Sequence, residues 1–154
     1  MPPLAKVLLE QKYGGIKMNN NTTTIKGLEQ GRAKFAYECA LKGSKRDKKK
    51  EYKSYVKKIP MLIKTNGLGA TFAFMLSKGG TYEFIGEQVL EWLKNDEKGI
   101  LANANEINNF EKLNEKIVSL NSPEYRALTI EVLAFFSWLR RFADGLIEGE
   151  DENE

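Results

Sequence analysis

The chain has 154 residues, 42% of them apolar and 29% charged, which suits one domain around a single core and lies outside the compositions of disordered chains. It holds no histidine and one cysteine, Cys39, so it lacks the commonest neutral-pH acid–base group, any intrachain disulfide and the ligand set of a zinc site. The net charge of +3 conceals an asymmetry: residues 148–154 carry five carboxylates and no base, leaving +8 on the remainder, a distribution that marks many nucleic-acid-facing proteins and that solubility also explains.

Residues 1–21 contain Pro2–Pro3, Gly14–Gly15 and three asparagines and show no sustained periodicity. They read as an irregular extension or leader, with Met18 as an alternative start. Their only apolar run, Val7–Leu9, is too short for a signal-peptide core, and no later run of about 18 residues is free of charge. The expected location is cytoplasmic. The organisation expected is an extension over 1–21, a helical domain over 22–147 and an acidic tail over 148–154.

A first helix is predicted over Thr24–Leu41, capped by one of Thr22, Thr23 or Thr24 and stopped by Gly43–Ser44; Ile25, Leu28, Phe35 and Cys39 share its apolar face. A second runs from Lys45 towards Asn66, with Tyr52, Tyr55, Val56, Ile59 and Ile63 at spacings of three and four. Pro60 must kink or divide it. Asn66–Gly67 reads as a C-cap, and Gly67–Lys78 as a short third helix, apolar nearly all round and so centrally buried. Gly79–Gly80 ends it. Thr81 caps a fourth helix whose stripe is Tyr82, Ile85, Val89, Trp92 and Leu93. After a polar connection over 95–105, a fifth begins near Glu106 and carries Phe110, Leu113, Ile117 and Leu120. Ser122–Pro123–Glu124 supplies a capping hydroxyl, a proline at the first helical position and a carboxylate on the helix dipole. The sixth helix reaches about Ile147 on a seam of Tyr125, Leu128, Val132, Phe135, Leu139, Phe142 and Leu146. The fold expected is an all-α bundle of five to seven helices with a long C-terminal helix.

Chemical motifs are scarce. Cys39 lies on an apolar face without a histidine to activate it. The glycines at 43 and at 67 and 69 lack the strand and the full spacing of a phosphate-binding loop, and helix-connecting turns explain them. No catalytic residue, metal or cofactor is expected. The positive signal is Lys42–Lys58, with nine basic residues against Asp47 and Glu51. Wound at about 100° per residue, Arg46, Lys50, Lys53, Lys57 and, if the kink at Pro60 is mild, Lys64 fall near one line opposite the apolar stripe. Such a line suits sequence-independent contact with a phosphate backbone, so RNA contact is expected from Lys45, Arg46, Lys49, Lys50, Lys53, Lys57 and Lys64. On the sixth helix Trp138 projects away from the seam beside Arg141, and this pair is expected to bind a partner protein.

Several stretches together resemble the small, fifth subunit of the type III-B (Cmr) CRISPR effector: Leu28–Ala36 (LEQGRAKFA), Tyr52–Gly67 with its KKIPMLIKTNG run, Leu68–Gly79, and Tyr125–Ala143 (YRALTIEVLAFFSWLRRFA). They follow in the family's order and cover most of the chain from about Thr24 to Ile147. The resemblance implies a helical, non-catalytic subunit of an antiviral ribonucleoprotein, stacked with copies of itself beside other Cmr subunits along a groove that takes CRISPR RNA and target RNA. It brings no catalytic motif to carry over. The alternative is a helical protein–protein adaptor without direct RNA contact. A membrane-surface role is disfavoured because the apolar face of the basic helix is needed for the core.

Overall fold

The structure is a computed structural model that describes residues 21–149. The described residues fall into two units, 21–34 and 35–149. The first contains the opening of α1 (Asn21–Ser44), where Arg32 pairs with Glu29 at 2.6 Å. The leader and the alternative start at Met18 lie outside the described residues. Helix α1 begins three residues before Thr24, so the three candidate capping threonines lie inside it.

The second unit is a helical bundle: the end of α1, α2 (Lys49–Asn66), α3 (Leu68–Lys78), α4 (Gly80–Asn95), a 3-10 turn (Ala104–Glu106), α5 (Phe110–Ile117) and α6 (Ser122–Leu146). Among the described residues there are six α-helices and no strand. The all-α expectation, including the long last helix, matches. The apolar spacings of α2, α4 and α6 converge on one core, in which Tyr52, Ile59, Phe72, Phe110, Phe135, Phe136 and Leu139 are fully buried. Trp92 stacks on Phe135 at 6.0 Å, and Phe35 leans on both rings.

Several boundaries differ from the sequence reading, each for a local reason. Gly43 lies inside α1 and does not stop it. A Cβ there would meet the Tyr52 ring at 2.2 Å, so the glycine is required by close approach of α2. Helix α2 starts at Lys49, not Lys45: the Ser44 hydroxyl bonds back to the Leu41 carbonyl at 2.7 Å, and two tight turns follow through Lys45 and Arg46. Pro60 does not divide α2, which runs unbroken through it. Its packing on α6, the most extensive helix pair in the fold, offsets a cost of about 3 kcal/mol.

Helix α3 is one-sided. Leu68, Thr71, Phe72 and Met75 are buried, whereas Ala70, Ala73 and Phe74 are exposed. Central burial was the wrong reading of its composition, because alanines and one aromatic face outward. Gly67 ends α2 as expected, its N–H bonding Ile63 O at 2.8 Å. Gly79 adopts φ 66°, a left-handed conformation costly for other residues, and joins α3 directly to α4. Helix α4 starts at Gly80, and the Thr81 hydroxyl donates to Glu51 rather than capping. Helix α5 starts at Phe110, where Asn109 caps Lys112 N and the Glu87 carboxylate accepts the Phe110 N–H at 2.8 Å. The cap of α6 is Asn121, in a reciprocal box with Glu124, and not Ser122.

Candidate functional site

The basic segment is not one exposed line. Arg46 precedes α2, and its guanidinium lies 4.2 Å over the Phe84 ring while Nη2 donates to the Thr81 hydroxyl at 3.2 Å. Lys53 is buried, with only 8% of its surface accessible; its ammonium donates to the carbonyls of Ile147 at 2.9 Å and Gly149 at 2.8 Å. Both positions follow from the shape of the fold. The turns before α2 swing Arg46 onto α4, and the chain leaving α6 crosses the face that winding alone leaves open. Lys45, Lys49, Lys50 and Lys64 are exposed, and Lys57 is half-buried.

What remains outward on that side of α2 is Lys50, Lys57 and Lys64, at heptad spacing and so about 10 Å apart along the axis. Lys64 faces α6 across a hollow of about 390 Å³ lined by Pro60, Leu133, Ser137, Arg140, Arg141 and Asp144. Three cations and one carboxylate thus share a concave surface, with the proline contributing no N–H. Arg140 carries no role in the sequence reading. Its signal is adjacency to Arg141 with one-turn spacing from Ser137, and only the meeting with Lys64 of α2 makes it legible. Arg141 also lies 5.8 Å from the Trp138 ring. The structure therefore joins two groups of residues, one read as RNA-facing and one as partner-facing, at a single place.

Trp138 is half-buried, stacked on Phe142 at 5.9 Å, and Phe142 meets the exposed Tyr37 edge-on at 5.3 Å. It belongs partly to the core edge and partly to this aromatic surface. Lys58 diverges to the other side of α2, where it shares a second concavity of about 460 Å³ with Lys48, Lys78, Glu51 and Phe74.

Two buried polar networks escaped the sequence reading. Glu131, 2% exposed, accepts from Trp92 Nε1 at 2.8 Å and pairs with Lys98. The available signal is a carboxylate three residues after Leu128 and four before Phe135, hence beside the buried seam. The Tyr52 hydroxyl donates to Gln88 at 2.7 Å, and the Gln88 amide donates to the Cys39 carbonyl at 3.0 Å. Burial pushes the Cys39 thiol up to about 12 and raises Tyr52 well above its ordinary range. A thiol so held is no nucleophile at neutral pH. Among the described residues no group of three or more metal-ligating side chains stands together, and no helix is long and apolar enough to cross a membrane.

The fold and this surface define a small helical protein whose distinctive feature is a cationic concavity between its second and last helices. A profile of the family described as CRISPR-associated protein (Cas_Cmr5) matches residues 28–146. The Cmr subunit Cmr5 of the CRISPR system of Thermus thermophilus is 32% identical over 116 residues, covering 75% of this chain and 92% of the relative. The crystal structure of a CRISPR-associated Cmr5 family protein from the same organism superposes with a TM-score of 0.66 at 29% identity, covering 79% of this chain and 98% of that one. The chain belongs to the Cmr5 family.

Proposed function

We propose that this chain is the small subunit of a cytoplasmic type III-B (Cmr) CRISPR effector, that it carries no catalytic centre, and that it helps assemble the complex while lining the path of the target RNA. Family membership supports the place in the complex. The RNA-facing role rests on one observation: Lys64, Arg140 and Arg141 gather around the hollow between α2 and α6. Lys57 and Lys50 continue that cationic surface along α2. Such side chains can neutralise phosphates, a contact that reads no bases and that suits a subunit whose guide supplies the sequence. The partners proposed are other Cmr subunits, further copies of this chain, and the CRISPR RNA paired with its target.

The test is a reconstituted complex carrying Lys64→Glu, Arg140→Glu and Arg141→Glu, with complementary target RNA titrated across salt. If the three cations meet three phosphates, they contribute about 2 to 3 to the slope of log affinity against log salt. The variant should lose that share. Equal affinity and slope for the two complexes would remove RNA contact from this surface.

A second reading, an adaptor that touches protein alone, draws on the aromatic surface of Tyr37, Trp138 and Phe142. Loss of subunit incorporation on Trp138→Ala, with RNA binding by the triple variant intact, favours that reading.

A further inference from the structure

The acidic tail leaves the described residues at a particular place. Ile147 is buried, and Lys53 holds the Ile147 and Gly149 carbonyls at 2.9 and 2.8 Å. The point of departure is therefore fixed to α2 and not merely near it. At Gly149 the chain passes so close to α2 that a Cβ would lie 3.2 Å from Lys50 Cε and 3.4 Å from Lys50 Nζ. Its φ of 81° is one that other residues rarely adopt. Passing from Lys53 to Lys50 carries the chain towards the N-terminus of α2. Glu150, Asp151, Glu152 and Glu154 follow immediately.

We infer that the acidic tail docks on this chain's own lysines at the start of α2, so that the basic surface has an intramolecular occupant. Residues 150–154 span at most about 17 Å when extended. Exposed Lys50 lies at their origin, and exposed Lys49 and Lys45 follow in sequence towards the start of α2, whereas Lys48 turns to the concavity that it shares with Lys58. The positive end of the α2 dipole favours carboxylates at the same place. Two acidic residues oppose docking. Glu51 accepts the Thr81 hydroxyl at 2.6 Å from the α4 side, and Asp47 is exposed. Lys45, Lys49 and Lys50 outnumber them. Because residues 147–149 are fixed, the tail carboxylates meet these lysines at a high effective concentration, with little further chain entropy to lose.

A consequence, resting on the RNA-facing reading above, is that the tail competes with RNA for the Lys50 end of the surface. It weakens adventitious binding of single strands and yields to an RNA that also engages Lys64, Arg140 and Arg141. The competition is electrostatic, and salt weakens it.

Two measurements on the full-length protein separate the two ideas. In the first, zero-length carbodiimide coupling followed by peptide mass spectrometry reads which lysines join the tail. Coupling to Lys45, Lys49 and Lys50 is expected several-fold above coupling to the exposed Lys112. That excess should vanish at high salt, where the Debye length falls to about 3 Å. Coupling spread evenly over these lysines, or no tail coupling, overturns the proposal whatever RNA does. In the second, a variant carrying E150Q, D151N, E152Q and E154Q is titrated with a labelled single-stranded oligouridylate. It should bind several-fold more tightly than the parent at low salt and converge with it at high salt. If selective coupling is found and neither protein binds the oligouridylate or a complementary target in the complex, docking stands and the RNA reading fails. If both bind RNA equally at low salt, the tail does not compete and that consequence is withdrawn.

Discussion

Replacing Gly86 by Ala tests the packing of the bundle, because two large effects oppose each other at that position. Gly86 is buried in the interior of α4, where alanine improves helix propensity by about 1 kcal/mol. The new methyl, however, would sit 2.5 Å from Phe110 Cδ1 and Cε1, against a comfortable carbon–carbon separation of about 3.5–4.0 Å. Phe110 has nowhere to go. It is fully buried, packs on Phe72 at 5.3 Å, and its N–H is held by Glu87 of the same helix as Gly86. Moving the ring means moving α5. Overpacking of this kind costs about 1–3 kcal/mol, and setting the propensity gain against it leaves a net loss of up to about 2 kcal/mol. For a domain of this size the melting temperature falls by up to about 10 °C. Gly145→Ala supplies the contrast, since a Cβ there meets nothing within 4 Å. It should gain a few tenths of a kcal/mol to about 1 kcal/mol. Thermal and urea unfolding followed by circular dichroism give both values. A Gly86→Ala protein that melts at or above the parent would refute the close approach of α4 and α5.

Glu131→Leu should destabilise by about 1–3 kcal/mol, because Trp92 Nε1 loses its buried acceptor; Glu131→Gln, which retains an acceptor oxygen, should cost less, and equal unfolding curves for the two variants would count against the network. Alkaline stability has a defined sign. Cys39, raised from 9.0 to about 12, and Tyr52, raised from 10.0, keep their protons longer folded than unfolded. Stability from this source is full below pH 9.0 and declines above it, by at most about 1.4 kcal/mol per pH unit for each group. Urea unfolding against pH should show the decline, and Cys39→Ala should delay its onset towards pH 10; a flat profile between pH 9.0 and about 12 would contradict the burial of both groups.

The helices were legible because their apolar spacing is regular: the stripe of α4 and the Leu128–Val132–Phe135–Leu139 run of α6 are buried as the pattern requires. Glycine misled where its role depended on a distant residue. Gly43 resembles a helix stop in sequence, and only the Tyr52 ring explains it. The cationic surface was half legible. Lys50, Lys57 and Lys64 keep the heptad line derived from α2 alone, but helical winding cannot show that residues 147–149 cross Lys53 or that Arg46 turns towards Phe84. Nor can it bring Arg140 to Lys64, since that meeting depends on how α2 and α6 pack. Lysine counts describe a helix, whereas a concave site needs two.

The Glu87–Phe110 bond has a consequence for the order in which the domain can come apart. Helix α5 has eight residues, too few to hold together alone in water. Its first backbone amide is tied to a carboxylate carried by α4, and the Phe110 ring fills the notch that Gly86 leaves in that same helix. Helix α5 can therefore detach while α4 stays folded, but α4 cannot unwind without taking the foothold of α5 with it. Local opening in this region is hierarchical, with the short helix as the dependent member.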